Sequence, residues 1–222
     1  MSVDSTSAIL LSLEVASAST LLSVVPAVGI GRWLARTRSP WKVVVNALVL
    51  VPMVLPPVVT GLLLLDVFGR TTLIGGLLGQ FGLPLSFSWA GAVLAAAVVG
   101  FPLFAISVRQ AFEAVDPQYE QLAASLGSSR AATFFRVSLP LAWPGIGAGA
   151  ILSFARSLGE FGATAVFAAN REGETRTIAL AVYTLLDKPG RDPAIGGLVA
   201  ASLALSVLSL VCYEVLNRRA RA

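Results

Sequence analysis

Long apolar runs separated by short polar stretches set the pattern of this chain. Crossing the hydrocarbon of a bilayer takes about 20 predominantly apolar residues rising about 1.5 Å each. Five runs reach that length, at 9–31, 43–65, 91–111, 146–168 and 194–213. They predict an all-α, polytopic membrane protein whose residues 1–222 form one transmembrane domain. Between 177 and 187 the sequence TIALAVYTLLD is apolar but too short to span, which predicts a re-entrant or interfacial helix. The first run has no basic residue before it and leads into further spans, so it reads as the first helix and not as a cleaved signal. The connection 66–89, rich in Gly and carrying Pro84, reads as an irregular surface loop.

Polar residues in the connections set the orientation. Arg32, Arg36, Arg38 and Lys42 follow the first span; Arg109, Arg130 and Arg136 follow the third; Arg218, Arg219 and Arg221 end the chain. Basic residues in short loops favour the cytoplasm, which puts these three regions inside and the N-terminus out. The second loop carries only Arg70. The fourth runs against the pattern with Arg171, Arg176, Lys188 and Arg191, matched by Glu172, Glu174, Asp187 and Asp192.

Composition agrees with the spans. With 56% hydrophobic and 13% charged residues and a mean hydropathy of +0.81, the chain has too little charge to coat a soluble domain of 222 residues. The net charge of +4 does not point to nucleic acid, because the basic residues flank apolar runs and no aromatic residues alternate with them. The single cysteine, Cys212, excludes a disulfide within the chain and every cysteine-based metal spacing. There is no histidine, which removes the usual imidazole bases and ligands, so no metal and no cofactor is expected. No phosphate-binding loop of the form G-x-x-x-x-G-K-[S/T] is present, so any ATP is hydrolysed by another polypeptide. An intramembrane enzyme would have Glu14, Arg156 and Glu160 as acid/base groups but no nucleophile to go with them. A secondary transporter made by this chain alone would be small and lacks an evident inverted repeat.

One polar connection has structure written into it. In 116–140, Asp116-Pro117 is an N-cap followed by a proline that needs no amide partner, and Gly127 can end that first helix in the left-handed conformation. Ser128 or Ser129 then caps a second helix, which Pro140 limits before the fourth span. The stretch EQLAASLGSSRAATFFRVSLP at 120–140, with nine residues between Gly127 and Val137 and the closing Leu139-Pro140, resembles the "EAA" loop of permease subunits of bacterial ATP-binding-cassette (ABC) importers. The resemblance implies that this loop receives the ATPase subunit, through Glu120, Gln121, Ala123, Ala124, Gly127, Leu139 and Pro140. The small Ala123 and Ala124 would allow close approach, and Glu120 would offer a charge across the contact. In the family pattern the acidic residue lies six before the glycine, where this chain has Gln121, and Leu122 replaces the first of two paired alanines.

The resemblance runs along nearly the whole chain. VLPPVVTGLLLL at 54–65, FARSLGEFGATAVFA at 154–168 and GETRTIALAVYTLL at 173–186 look like the molybdate permeases, relatives of the sulfate/thiosulfate permeases. It implies a type I ABC importer permease in the bacterial cytoplasmic (inner) membrane. Two copies would form a homodimer around a pathway, with two ATPase subunits and a periplasmic oxyanion-binding protein as partners. The segment 156–162 is common to both oxyanion branches, while Gly173-Glu-Thr-Arg-Thr and Tyr183 tilt the resemblance to molybdate, with sulfate/thiosulfate or tungstate as the alternative substrates.

Within the spans, four residues stand out as pathway candidates. Arg156 falls about 15 Å into the fourth run, near the bilayer midplane, where a charge needs a partner or a water-lined cavity. Glu160, four residues on, can pair with it. Pro56 and Pro57 in mid-span free backbone groups and can bend the second helix. Gly145, Gly147 and Gly149 favour close helix contact at the start of the fourth. Cysteine-accessibility labelling in whole cells, with Cys212 replaced, is expected to find position 5 outside and position 219 inside; labelling of both from one face sinks the five-span arrangement.

Overall fold

The computed structural model of the chain describes residues 4–187 and 192–221, the last three of these by backbone alone. Lys188 and Arg191, two of the basic residues of the fourth loop, lie outside them. Every regular element among the described residues is helical. α1 (Ser5–Arg36) is followed by α2 (Trp41–Val54), α3 (Pro57–Phe68), α4 (Leu73–Gln80) and α5 (Trp89–Ala114). After the polar connection come α6 (Pro117–Ser125), α7 (Arg130–Thr133), a π-helical turn (Phe134–Ser138) and α8 (Leu139–Leu158). The short α9 (Gly162–Phe167) and α10 (Ile178–Leu186) precede the terminal α11 (Ala194–Arg221). Four helices are long and apolar enough to cross a membrane, and the bent pair α2 and α3 makes up to a fifth span.

α1, α5 and α8 pack on one another and hold the core, with α11 laid against α8. Lipid is as apolar as leucine, so close contact and interhelical hydrogen bonds must do what water exclusion does in soluble proteins. A Cβ on Gly31 would sit 2.7 Å from the Val108 side chain, one on Gly145 2.6 Å from Ala111 and one on Gly149 2.6 Å from Ser107. Gly147 is different, with only Leu216 at 3.9 Å. Ser19 Oγ donates to Ser157 Oγ at 3.1 Å, and Ser157 Oγ donates to the Ala96 carbonyl at 3.2 Å, which links all three helices. Around Phe104, Val108, Phe112 and Ile146 the end of this bundle nearest the 116–140 connection closes into a buried cluster.

The 43–65 run is two helices, not one. α2 and α3 meet at 114°. A residue before proline avoids the α region, and two consecutive prolines impose this twice: Leu55 lies at φ −66°, ψ 141° and Pro56 at φ −55°, ψ 134°. The 146–168 run also breaks, at Gly159, Glu160 and Phe161. Both breaks fall at one place, because a Cβ on Gly162 would lie 2.9 Å from Pro57 Cβ and 3.1 Å from the Val58 amide nitrogen.

Two further expectations need correcting. The connection 66–89 is not wholly irregular: Thr72 caps α4 by accepting from the Gly75 amide at 3.1 Å. Pro140 does not end the second loop helix, since helix is continuous over Arg130–Leu158. The π-helical turn explains this. Leu139 donates its amide to the Phe134 carbonyl, five residues back, so the helix is widened just where the Pro140 ring would press on the carbonyl of Arg136. The apolar 177–187 stretch forms α10, which buries Ile178, Leu180, Ala181 and Leu185 against neighbours that include α1 and α11.

Gly61 carries the α3–α9 contact, since a Cβ there would stand 2.8 Å from the Ala163 carbonyl oxygen. Gly61→Val is expected to lower stability by about 1–3 kcal/mol, read as a fall in the thermal transition of detergent-solubilised protein. Gly196→Ala, where a Cβ meets nothing within 4 Å, is the control that should not move it.

Candidate functional site

The loop between α5 and α8 is a knob assembled from its own caps. The Asp116 carboxylate accepts from the Gln118 amide at 2.8 Å, opening α6 with Pro117 in the first turn. At the other end Ser128 donates its amide to the Ala123 carbonyl and Gly127 to the Ala124 carbonyl, both at 3.0 Å, with Gly127 at φ 81°. This is a Schellman closure, and it needs the left-handed glycine. Ser129 Oγ then accepts from the Ala132 amide at 3.2 Å and starts α7. No residue of α6 is buried, and Tyr119, Leu122 and Leu126 stand exposed.

Glu120 is turned back onto its own chain. Its Oε1 accepts from Ser138 Oγ at 2.7 Å and from Arg36 Nη2 at 3.2 Å, with Arg32 Nη1 at 3.8 Å. Arg36 Nη2 also donates to the Val115 carbonyl at 2.9 Å, just ahead of the cap. Arg32 lies over the rings of Phe134 and Phe112, 4.5 and 5.8 Å from their centroids. Partial burial pushes the Glu120 carboxyl up, but the Ser138 hydrogen bond and the two guanidiniums outweigh it and hold its pKa below the usual value. A depressed carboxylate pKa contributes stability above the unfolded value, and that contribution is lost as pH falls through the folded one. The ion pair is therefore intact at neutral pH.

Of the other residues expected in this loop, Gln121, Ala123, Ala124 and Gly127 lie on α6 and its closing turn, with Ala124 and Gly127 exposed. Leu139 and Pro140 are not at a loop end; they are the first residues of α8. Arg32, Arg36 and Ser138 were not anticipated. The spacing of Arg32 and Arg36 puts both on one face of α1, but nothing local says that this face meets residue 120.

The intramembrane charges form a second constellation. Arg156 sits in the last turn of α8 with about a third of its side chain exposed, while Glu160 is 2% exposed. Arg156 Nη1 donates to Glu160 Oε2 at 3.2 Å. Glu160 lies in the break, not on the helix, and its Oε1 accepts from the Ala163 amide at 2.8 Å. One carboxylate thus neutralises a cation at a helix C-terminus and caps the next helix. The rings of Phe161 and Tyr183 pack at a tilt nearby, 5.1 Å between centroids. Pro56 and Pro57 make the adjacent bend, with Pro57 beside Gly162, whereas Glu14 is exposed on α1, away from the core.

A family model for the inner membrane component of binding-protein-dependent transport systems matches residues 27–222. The chain belongs to this permease family. It is a transport component of the inner membrane and not an enzyme. The molybdenum transport system permease protein ModB of Escherichia coli (strain K12) is 47% identical over 215 residues, covering 96% of this chain and 94% of that protein. ModB of Haemophilus influenzae is 46% identical over 214 residues, covering 96% and 93%. Among solved structures, a chain of the MetNI methionine ABC transporter in an inward-facing conformation superimposes with a TM-score of 0.70 at 16% identity, covering 99% of each chain. The permease fold is thus that of a type I ABC importer, a class that works with a binding protein and an ATPase.

Gly127 has open space where a Cβ would go, so a substitution there strains the backbone alone. Gly127→Val in this permease is expected to cost about 1–2 kcal/mol in the loop, leaving insertion intact while binding-protein-stimulated ATP hydrolysis and uptake fall. Wild-type uptake in that variant means that the closing turn is not needed for coupling.

Proposed function

We propose that this chain is the permease subunit of a molybdate importer, present as two copies around a central pathway. A periplasmic binding protein delivers the oxyanion, and two ATPase subunits each engage one 116–140 loop. The observation that carries this reading is the α6 knob: a capped helix with no buried residue and an apolar exposed face, in a chain similar over nearly its whole length to permeases named for molybdenum transport. In this arrangement the N-terminus is outside and the C-terminus inside. The charges of the fourth loop then lie outside, and their pairing supports that: Arg171 meets Glu174 at 2.7 Å, and Arg176 meets Glu172 at 3.1 Å. Closure of the ATPase pair on ATP moves the loops and opens the pathway outward; hydrolysis resets it.

The pathway passes the junction of the two broken spans. An ionised arginine at membrane depth costs several kcal/mol unless it faces protein or water, and Arg156 is part-exposed while its partner Glu160 is buried. Two symmetry-related Arg156 residues supply positive potential for a dianion, and Glu160 orients them and limits how tightly the anion is held. Pro56 and Pro57 set the bend of the neighbouring span. Uptake of labelled molybdate in competition with tungstate and sulfate tests the substrate; sulfate competing as well as molybdate would move the assignment to the sulfate branch.

For the pair, Arg156→Gln is expected to cut uptake while ATPase docking survives, with Glu160→Gln affecting turnover less. Restored expression and transport in the double substitution would show the pair to be structural only.

A further inference from the structure

Taking the 116–140 loop as the docking loop, we propose that Glu120 is a positioning residue, an internal strut that ties the docking helix to the cytoplasmic ends of α1 and α8 so that a push on α6 enters the membrane helices. α6 buries none of its own residues, so packing alone does not hold it to the bundle. A single carboxylate oxygen fills that gap. It receives Ser138 Oγ from the π-helical turn that leads into α8 and Arg36 Nη2 from α1, and the same Nη2 also holds the Val115 carbonyl at the entry to the loop. Three chain segments therefore meet at two polar groups.

The rest of the node is built to keep those groups in place. Arg32 lies over Phe134 and Phe112, which places its charge 3.8 Å from the same Glu120 oxygen. The π-helical turn adds a residue just before α8, and its last residue, Ser138, is fully buried. An isolated surface ion pair is weak, but a carboxylate shared by a hydroxyl and two guanidiniums in part-buried positions is a directional joint. A carboxylate spent in this way is not free to reach across to a partner subunit, and the exposed Leu122 and Leu126 are left as the face of α6 that meets one.

The test uses the assembled complex of permease, ATPase and binding protein in lipid nanodiscs. Spin labels are placed on cysteines at Gln118 and Ser39, in a Cys212→Ser background. In the wild type the label separation should be narrow and unchanged on adding ATP, because α6 and the end of α1 move together. In Glu120→Gln the ATPase should still co-purify and hydrolyse ATP, while the separation broadens and becomes ATP-dependent and molybdate uptake per ATP falls roughly tenfold or more. Arg36→Gln, which leaves the docking helix itself untouched, should give the same uncoupling. Loss of the ATPase from the Glu120→Gln complex with an unchanged label separation would make Glu120 a cross-subunit contact and overturn the strut. Wild-type uptake and separation in either variant would overturn it as well. Retention of the ATPase by Leu122→Asp, Leu126→Asp permease would instead sink the docking reading on which the strut rests.

Discussion

Inside a bilayer a backbone amide or carbonyl that loses its helical partner has no water to turn to, and unmet groups there cost several kcal/mol each. The irregularities of this chain obey that constraint. At the Gly159–Phe161 break, Glu160 supplies a cap to α9 and a counter-charge to Arg156. At Pro56-Pro57 the residues that begin α3 bring no amide hydrogens of their own, so the bend leaves fewer groups orphaned than any other pair of residues would. The two breaks lie against each other through Gly162 and Pro57.

That arrangement joins the two halves of the permease. α3 and α9 are short helices that cannot span alone, and they are packed together by Gly61 and Gly162 at distances no larger residue allows. At the other end of α8 the Glu120 node joins elements with polar groups, linking α6, α1 and the start of α8. α8 runs from one joint to the other, since it begins after Ser138 and ends at the Arg156 turn. If the 116–140 loop is the docking loop, as proposed, a single helix with a defined connection at each end runs from it to Arg156.

What could be read from the chain alone follows the range of the forces involved. Spans, caps and the left-handed glycine depend on neighbours within a few residues, so apolar run length, Asp116-Pro117 and Gly127 were legible. Pro140 was misread because its effect depends on the π-helical turn before it, and no local residue preference announces that turn. The break at Gly159 was hidden inside an apolar run of acceptable length; its only trace is a glutamate between two glycines, which is also what a surface turn looks like. The node at Glu120 pairs residues 84 and 18 positions apart, and such pairings are set by topology and not by spacing.

Charge placement shows how the same residue type takes different roles in the two sites. Glu120 stands at the aqueous edge among two arginines, where its charge is held on and salt or acid can reach it. Glu160 is almost wholly enclosed with one arginine and one amide. An enclosed carboxylate left without Arg156 would be an uncompensated charge in a medium that penalises it strongly, whereas Arg156 is part-exposed and has a side open beyond Glu160. The asymmetry gives the pair a direction. In the proposed pathway an oxyanion would therefore approach Arg156 from its exposed side while Glu160, fixed by the α9 cap, stays paired with the arginine and holds it in place.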